Sequence, residues 1–296
     1  MSIMPSIELL SATQWEDYEL LDSGDGLKLE RFGKYTFIRP EHQAIWKPAL
    51  PQRRWEYVDA EFQARNEESG GRWAFTRAIE QQWGMHYKNY SFWARTGNSR
   101  HLGFFPEQAS HWDWIHLQVK KSSRPIQVLN LFGYTGLASL AAASAGARVT
   151  HVDASKKTIQ FARENQEFSG LSEKPIRWII DDAIKFVKRE SRRGTQYDGI
   201  ILDPPKFGRG PKGELWDFFK MMPLLMNEIR PIMTSKPVFL VITAYAIRAS
   251  ALSLHYAIKE VMKDYNGIVN SGELVILEKS AGRILSMAIF TRWSSL

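Results

Sequence analysis

The run Asp203-Pro204-Pro205-Lys206-Phe207 carries the most specific chemistry in the sequence. Two consecutive prolines fix φ and remove two backbone donors. The carbonyls of Asp203 and Pro204 are then left as acceptors, able to hold an exocyclic amino group and to orient its nitrogen lone pair. Asp203, Pro204 and Lys206 are therefore the candidate catalytic residues. Lys206 and Arg209 could meet phosphate and Phe207 could stack on a base, which makes Pro205, Phe207 and Arg209 candidates for holding a substrate. A plain Pro-Pro turn is the bland alternative. Upstream lies Phe132-Gly133-Tyr134-Thr135-Gly136, whose glycines would let a ligand approach backbone N–H groups at the start of a helix. Asp153 follows Gly133 by 20 residues, a spacing at which a carboxylate can accept from both ribose hydroxyls. Asp181-Asp182 could accept from an adenine amino group, with Asp182 the first choice. Each of these acids could instead serve as a helix cap or a helix N-terminal charge. Together they suit a dinucleotide or an adenosyl cofactor, and the missing Gly-x-Gly-x-x-Gly fingerprint argues against NAD.

These residues need elements to place them. From about Pro125 strands and helices alternate. Strands are expected at 126–131, 149–153, 176–180, 197–203 and 238–245, with helices at 137–145, 156–168, 183–192, 214–229 and 249–264. Ser155 is a suitable N-cap, and Gly146 and Gly170 suit positions just past helix ends. Strands at 274–277 and 284–291 would close the chain as a hairpin, placing one antiparallel strand at the sheet edge. Such alternation implies a mostly parallel, doubly wound α/β sheet, with ligands outside the carboxyl ends of its strands. Residues 1–116 differ: short strands at 27–32 and 35–38 around Gly33-Lys34, a turn at Ser23–Gly26, a loop punctuated by Pro40, Pro48 and Pro51, and a polar break at Glu67–Gly71.

Composition narrows the classes. The chain has 296 residues and no cysteine, which excludes disulfides, thiolate metal sites and a cysteine nucleophile. No apolar run approaches a membrane span, no secretory leader is visible, and no histidine spacing suggests a metal. The expectation is a cytoplasmic protein with no membrane partner and no metal. Net charge is +7, divided as −3 over residues 1–116 and +10 over 117–296, and the basic part favours a polyanionic partner such as RNA. Of 37 aromatic residues, 20 lie in 1–116, including 8 of 11 Trp. They could stack on bases, but filling a small β-rich core is the simpler use.

Taken in order, these motifs resemble class I S-adenosylmethionine-dependent methyltransferases, and within them the bacterial 23S ribosomal RNA methyltransferases with an Asp-Pro-Pro-Lys-Phe motif. The resemblance runs from about Phe104 to Thr291. It implies a Rossmann-like, seven-stranded sheet in residues 104–296, a β-rich and possible substrate-recognition domain in 1–103, S-adenosylmethionine as cofactor, and rRNA as substrate. Phe104 to Gln108 is similar to a segment that closes over the cofactor, bringing in Phe105 and Gln108. Val128 to Gly136 matches the cofactor loop and brings in Asn130, Phe132, Gly133, Thr135 and Gly136. Asp153-Ala154-Ser155 matches the ribose site, Asp181-Asp182 the adenine side, and Asp203 both cofactor and catalytic positions. One departure stands out. Family members that make 5-methylcytosine use a Cys just after strand five, and here that region reads Thr243-Ala244-Tyr245. The expected reaction is therefore direct in-line transfer to a base nitrogen. A small-molecule or protein substrate, or a non-catalytic binding role, stays open, as does the oligomeric state.

Overall fold

The computed structural model describes residues 4–64 and 70–296. Glu67, Glu68 and Ser69 of the expected polar break lie outside the described residues, and Gly71 opens a strand. The chain begins with β1 (Ile7–Ser11), followed by β2 (Tyr18–Gly24), β3 (Leu27–Phe32), β4 (Tyr35–Pro40), a short α1 (Gln52–Glu56), β5 (Ala60–Ala64) and β6 (Gly71–Phe75). Strands β2 to β6 form one sheet in sequence order. β7 (Gln82–Tyr87) and β8 (Tyr90–Arg95) make a separate hairpin. A 3₁₀ turn at Pro106–Gln108 then runs into α2 (Ala109–Lys121), a helix not expected from the sequence.

The alternating region follows: β9 (Gln127–Leu131), α3 (Leu137–Ser144), β10 (Arg148–Asp153), α4 (Lys156–Phe168), β11 (Ile176–Ile180), α5 (Ala183–Arg192) and β12 (Gly199–Leu202). Next come a small hairpin of β13 (Phe207–Arg209) and β14 (Leu215–Asp217), then α6 (Phe218–Ile229), β15 (Phe239–Ala244), α7 (Ala251–Val261), β16 (Gly267–Leu277) and β17 (Ile284–Ser295). The large sheet has the order β1-β16-β17-β15-β12-β9-β10-β11. Its seven later strands form the doubly wound α/β sheet, and β1 adds an eighth, parallel to β16 with Ile7 opposite Ser271. β12, β15 and most of β9 are buried, as continuous apolar runs must be when helices cover both faces.

Two expectations about elements need correction. The antiparallel strand is not at the edge: β17 lies between β15 and β16 and pairs antiparallel with both. The helix expected from Glu214 starts only at Phe218. Leu215–Asp217 instead pairs with Phe207–Arg209, the Trp216 indole donates to the Pro205 carbonyl at 2.7 Å, and Asp217 caps the helix through the Lys220 N–H. Ser155 caps α4 as expected. Such caps contribute about 1 kcal/mol each.

Aromatic residues of the first 116 positions fill a core. Trp15 sits among Tyr18, Tyr87, Phe92, Phe104 and Trp112, with ring centroids 4.6–6.1 Å away. Leu137 and Leu140 of α3 belong to the same cluster, so the β-rich region packs directly on the helix that follows the first strand loop. This core also holds charge. Glu30 is fully buried and takes a bidentate pair of hydrogen bonds from Arg39 at 2.6 and 2.7 Å, and one from the Tyr18 hydroxyl at 2.9 Å. Burial pushes the Glu30 carboxyl up, but Arg39 and Lys28 hold it below the usual carboxylate range.

Candidate active site

The chain adds β10 and β11 on one side of β9, then crosses to place β12 on the other side. This reversal sets the loops after β9 and β12 side by side, the place where open α/β sheets bind ligands. With the 3₁₀ turn they border a cleft lined by Phe105, Gln108, Asn130, Phe132 to Gly136 and Asp203, among others.

The loop after β9 is held from beneath. Phe132 and Tyr134 both take positive φ, 59° and 49°. Gly133 lies between them, directly over the buried His151 ring. A Cβ built on Gly133 would stand 2.3 Å from His151 Cε1, so packing by itself already requires glycine here. Gly136 has φ 90°, a left-handed conformation that opens α3. Asn130 donates to Ser139 Oγ at 2.9 Å, and Ser139 Oγ meets His151 Nδ1 at 2.9 Å, forming a polar chain under the loop. Burial drives the His151 imidazole down to about 3, so it is neutral at physiological pH. Thr135 turns its hydroxyl to the Gly103 carbonyl at 2.6 Å, tying the loop to the segment that leads into Phe105.

At the end of β10, Asp153 accepts from the Tyr134 N–H at 3.0 Å, and from the Ser155 N–H and Thr158 hydroxyl at 2.8 Å each. A carboxylate has about four lone-pair positions, so acceptor capacity remains for a hydroxyl. Asp182 caps α5 through the Lys185 N–H at 2.9 Å. Asp181 accepts from the Asp182 N–H and pairs with Arg189 at 2.6 Å. The helix N-terminal alternative is therefore realised at Asp182, whereas the cap of α4 is Ser155 rather than Asp153.

The loop after β12 is the opposite case. No hydrogen bond among the described residues reaches the Asp203 or Pro204 carbonyl, while the Pro205 carbonyl is taken by Trp216. The Asp203 carboxyl accepts from Gln108 Nε2 at 3.1 Å. Burial pushes Asp203 up to about 8, and the charge of Glu107 adds to the rise. Phe207 is exposed, with Lys206 Nζ over its ring face 5.3 Å from the centroid, and Arg209 is exposed beside it.

Of the residues singled out from sequence, Phe105, Gln108, Asn130, Phe132, Gly133, Thr135, Gly136 and Asp203 line one cleft. Asp153, Ala154, Ser155, Asp181 and Asp182 follow the neighbouring strands β10 and β11, and Pro204 to Arg209 continue from Asp203. Sequence reading missed Ser139 and His151, which support the loop, and the role of Glu107 and Tyr245. Both are buried beside Asp203, and the pairing of a buried acid with Gln108 just after Pro106 was the available signal.

A mostly parallel sheet whose order reverses at β9, with the antiparallel β17 set between β15 and β16, has the architecture of class I methyltransferases. Residues 109–213 match the family model described as Conserved hypothetical protein 95. A SAM-dependent methyltransferase from Agrobacterium tumefaciens, known from its crystal structure, is 47% identical, with 100% of this chain and 98% of that one covered and a TM-score of 0.94. The chain belongs to the S-adenosylmethionine-dependent methyltransferases. Its cofactor is S-adenosylmethionine, whose sulfonium supplies an electrophilic methyl group. Among curated relatives, ribosomal RNA large subunit methyltransferase I of Aeromonas salmonicida is 34% identical over 111 residues, 37% of this chain and 27% of that protein. Ribosomal RNA large subunit methyltransferase K/L of Shewanella loihica is 36% identical over 119 residues, 38% of this chain and 16% of that protein. The chain thus spans about a quarter or less of the length of these two relatives.

Proposed function

We propose that this protein methylates a base nitrogen of ribosomal RNA by direct in-line transfer. The observation that carries the reading is the pair of open acceptors at Asp203 and Pro204, set beside the cofactor loop where the sheet order reverses. Carbonyl oxygens accept from an amino group and point its lone pair away from them, toward the cofactor side. Alignment then lowers the barrier without a covalent intermediate. The absence of cysteine and the Tyr245 side chain at the position after β15 agree with this route. Gly133, Thr135, Gly136, Asp153 and Asp182 would position the cofactor, Thr135 through its tie to Gly103 and Asp182 as the α5 cap. Phe207 would stack on the target base, and Lys206 and Arg209 would meet phosphate. The +10 charge of residues 117–296 would steer the RNA, with residues 1–103 helping to select it.

The test uses purified protein, methyl-labelled S-adenosylmethionine and total RNA from a strain deleted for the gene. Digestion and mass spectrometry should show a guanosine or adenosine labelled at nitrogen. Labelled 5-methylcytidine would overturn the mechanism. Absence of label in RNA, with cofactor binding intact, would move the substrate to a protein or small molecule.

A further inference from the structure

Beside Asp203 is a group of buried polar atoms that the reading above does not use. Glu107 is 2% exposed, and among the described residues no group meets either of its carboxylate oxygens in hydrogen-bonding geometry. The Tyr245 hydroxyl is buried near this carboxylate, and no group among the described residues meets it in hydrogen-bonding geometry. Glu107 is the sequence neighbour of Gln108, whose amide holds Asp203 Oδ2 at 3.1 Å. Tyr245 touches the Phe105 ring, centroids 5.0 Å apart, and its phenol lies near Glu107, Gln108 and Asp203 beside the 3₁₀ turn. Buried polar atoms without partners are rare, and a carboxylate with two is costly unless it is neutral or serves a task.

We propose that Glu107 and Asp203 form one carboxyl pair that shares a single proton at rest, with Glu107 a positioning residue that sets when Asp203 can receive the proton of the reacting amine. The inference rests on the amine reading given above. The chemistry needs such an acceptor. The amine lone pair forms the new C–N bond while the methyl C–S bond breaks, leaving its electron pair on sulfur. The nitrogen is then cationic, and one N–H proton must leave for the neutral methylamine to form. Asp203 takes it, and Glu107 beside it decides how much charge Asp203 carries beforehand. Like charges in one dry site cannot both ionise freely.

The surroundings leave few other groups to do this. Lys28 of β3 and Arg39 of β4 face Glu107 and favour its charge, but both are engaged elsewhere: Arg39 with Glu30, and Lys28 3.7 Å from Glu30 and from Glu41. Tyr18 of β2 also faces it, with its hydroxyl on Glu30. Burial leads the upward push on the Glu107 carboxyl. The Tyr245 phenol is pushed well above its normal range by burial, then by Glu107 and Asp203, so it stays neutral beside them.

The experiment has a part that needs no substrate. Carboxyl-carbon NMR of the full protein, with Asp203→Asn for assignment, should show the Asp203 and Glu107 signals inflecting together. Glu107 titrating alone in the ordinary carboxylate range overturns the pair, whatever the variants do. In single-turnover methylation of the deletion-strain RNA, Glu107→Gln should move the midpoint of the rising pH–rate limb down by about one pH unit. Tyr245→Phe, which removes no charge, should leave that midpoint within about a third of this shift. An unchanged midpoint in Glu107→Gln, or an equal shift in Tyr245→Phe, overturns the positioning role. Coupled carboxyl titration without RNA methylation would leave the pair standing and reject the nucleobase reading instead.

Discussion

The two loops that border the cleft solve opposite problems. The loop after β9 is satisfied from within: Asn130, Ser139 and His151 support it, Asp153 accepts its Tyr134 N–H, and Thr135 ties it to Gly103. The loop after β12 keeps open acceptors at Asp203 and Pro204, an exposed Phe207, and a carboxyl in contact with a single amide. A cofactor common to many enzymes can be met by a rigid, preorganised cradle. The acceptor has to be recognised by groups that wait for it, and those groups cannot satisfy each other beforehand. The difference teaches that rigidity and openness are divided between adjacent strands of one sheet.

That contrast can be broken most severely at Asp203. Asp203→Ala should lower turnover by about 10²–10³-fold, the scale for losing one preorganised polar contact in a closed site. Cofactor affinity, read by calorimetry, should change by less than about threefold. A collapse of cofactor binding with intact single-turnover chemistry would place Asp203 on the other half. Gly133→Ala strikes that other half, since the new methyl would collide with His151. It should cost about 3 kcal/mol of stability, measured by denaturant titration, and weaken cofactor binding in parallel. Phe207→Ala should weaken RNA binding about tenfold through lost stacking and leave cofactor affinity unchanged.

pH sharpens the comparison because the two halves shift in opposite senses. Asp203 rises from 3.8 unfolded to about 8 folded, so its stabilising contribution is full below about 4 and is lost as pH rises through about 8. Asp203→Asn should flatten this decline. His151 falls from 6.5 to about 3, so its contribution is present above about 6.5 and is lost as pH falls through about 3. A stability profile of Asp203→Asn that keeps the full alkaline decline would show that Asp203 is not the group responsible. The smallest effect should come from Arg209→Ala, which should reduce the slope of log affinity against log salt by about one for RNA, with little change in turnover.

Much of this division was legible in sequence. Pro204-Pro205 announced open carbonyls because proline chemistry is local, and Ser155 announced a cap for the same reason. Strand–helix alternation gave the sheet and, through it, the placing of both loops. What sequence did not show depends on residues far apart in the chain. Gly133 answers to His151, Asp203 to Gln108 and Glu107, and Trp216 to Pro205, and no pattern of neighbours encodes those meetings. The cap role of Asp182 was legible as a local alternative, while the pairing of Asp181 with Arg189 was not. The long final strands were underestimated because polar positions such as Ser271 and Thr291 are buried by pairing rather than by apolar character.

The strand β1 bears on how the molecule is made. Its residues are made long before those of β16, yet their place is beside that strand: Glu8 accepts from Asn270, 262 positions later, and Ile7 stands opposite Ser271. Throughout synthesis of the intervening chain this strand has no partner, and its exposed Ile7 and Leu9 travel with it. Closure of the sheet edge is therefore a late event, and until it happens the free flank of β16 is open to any other extended chain.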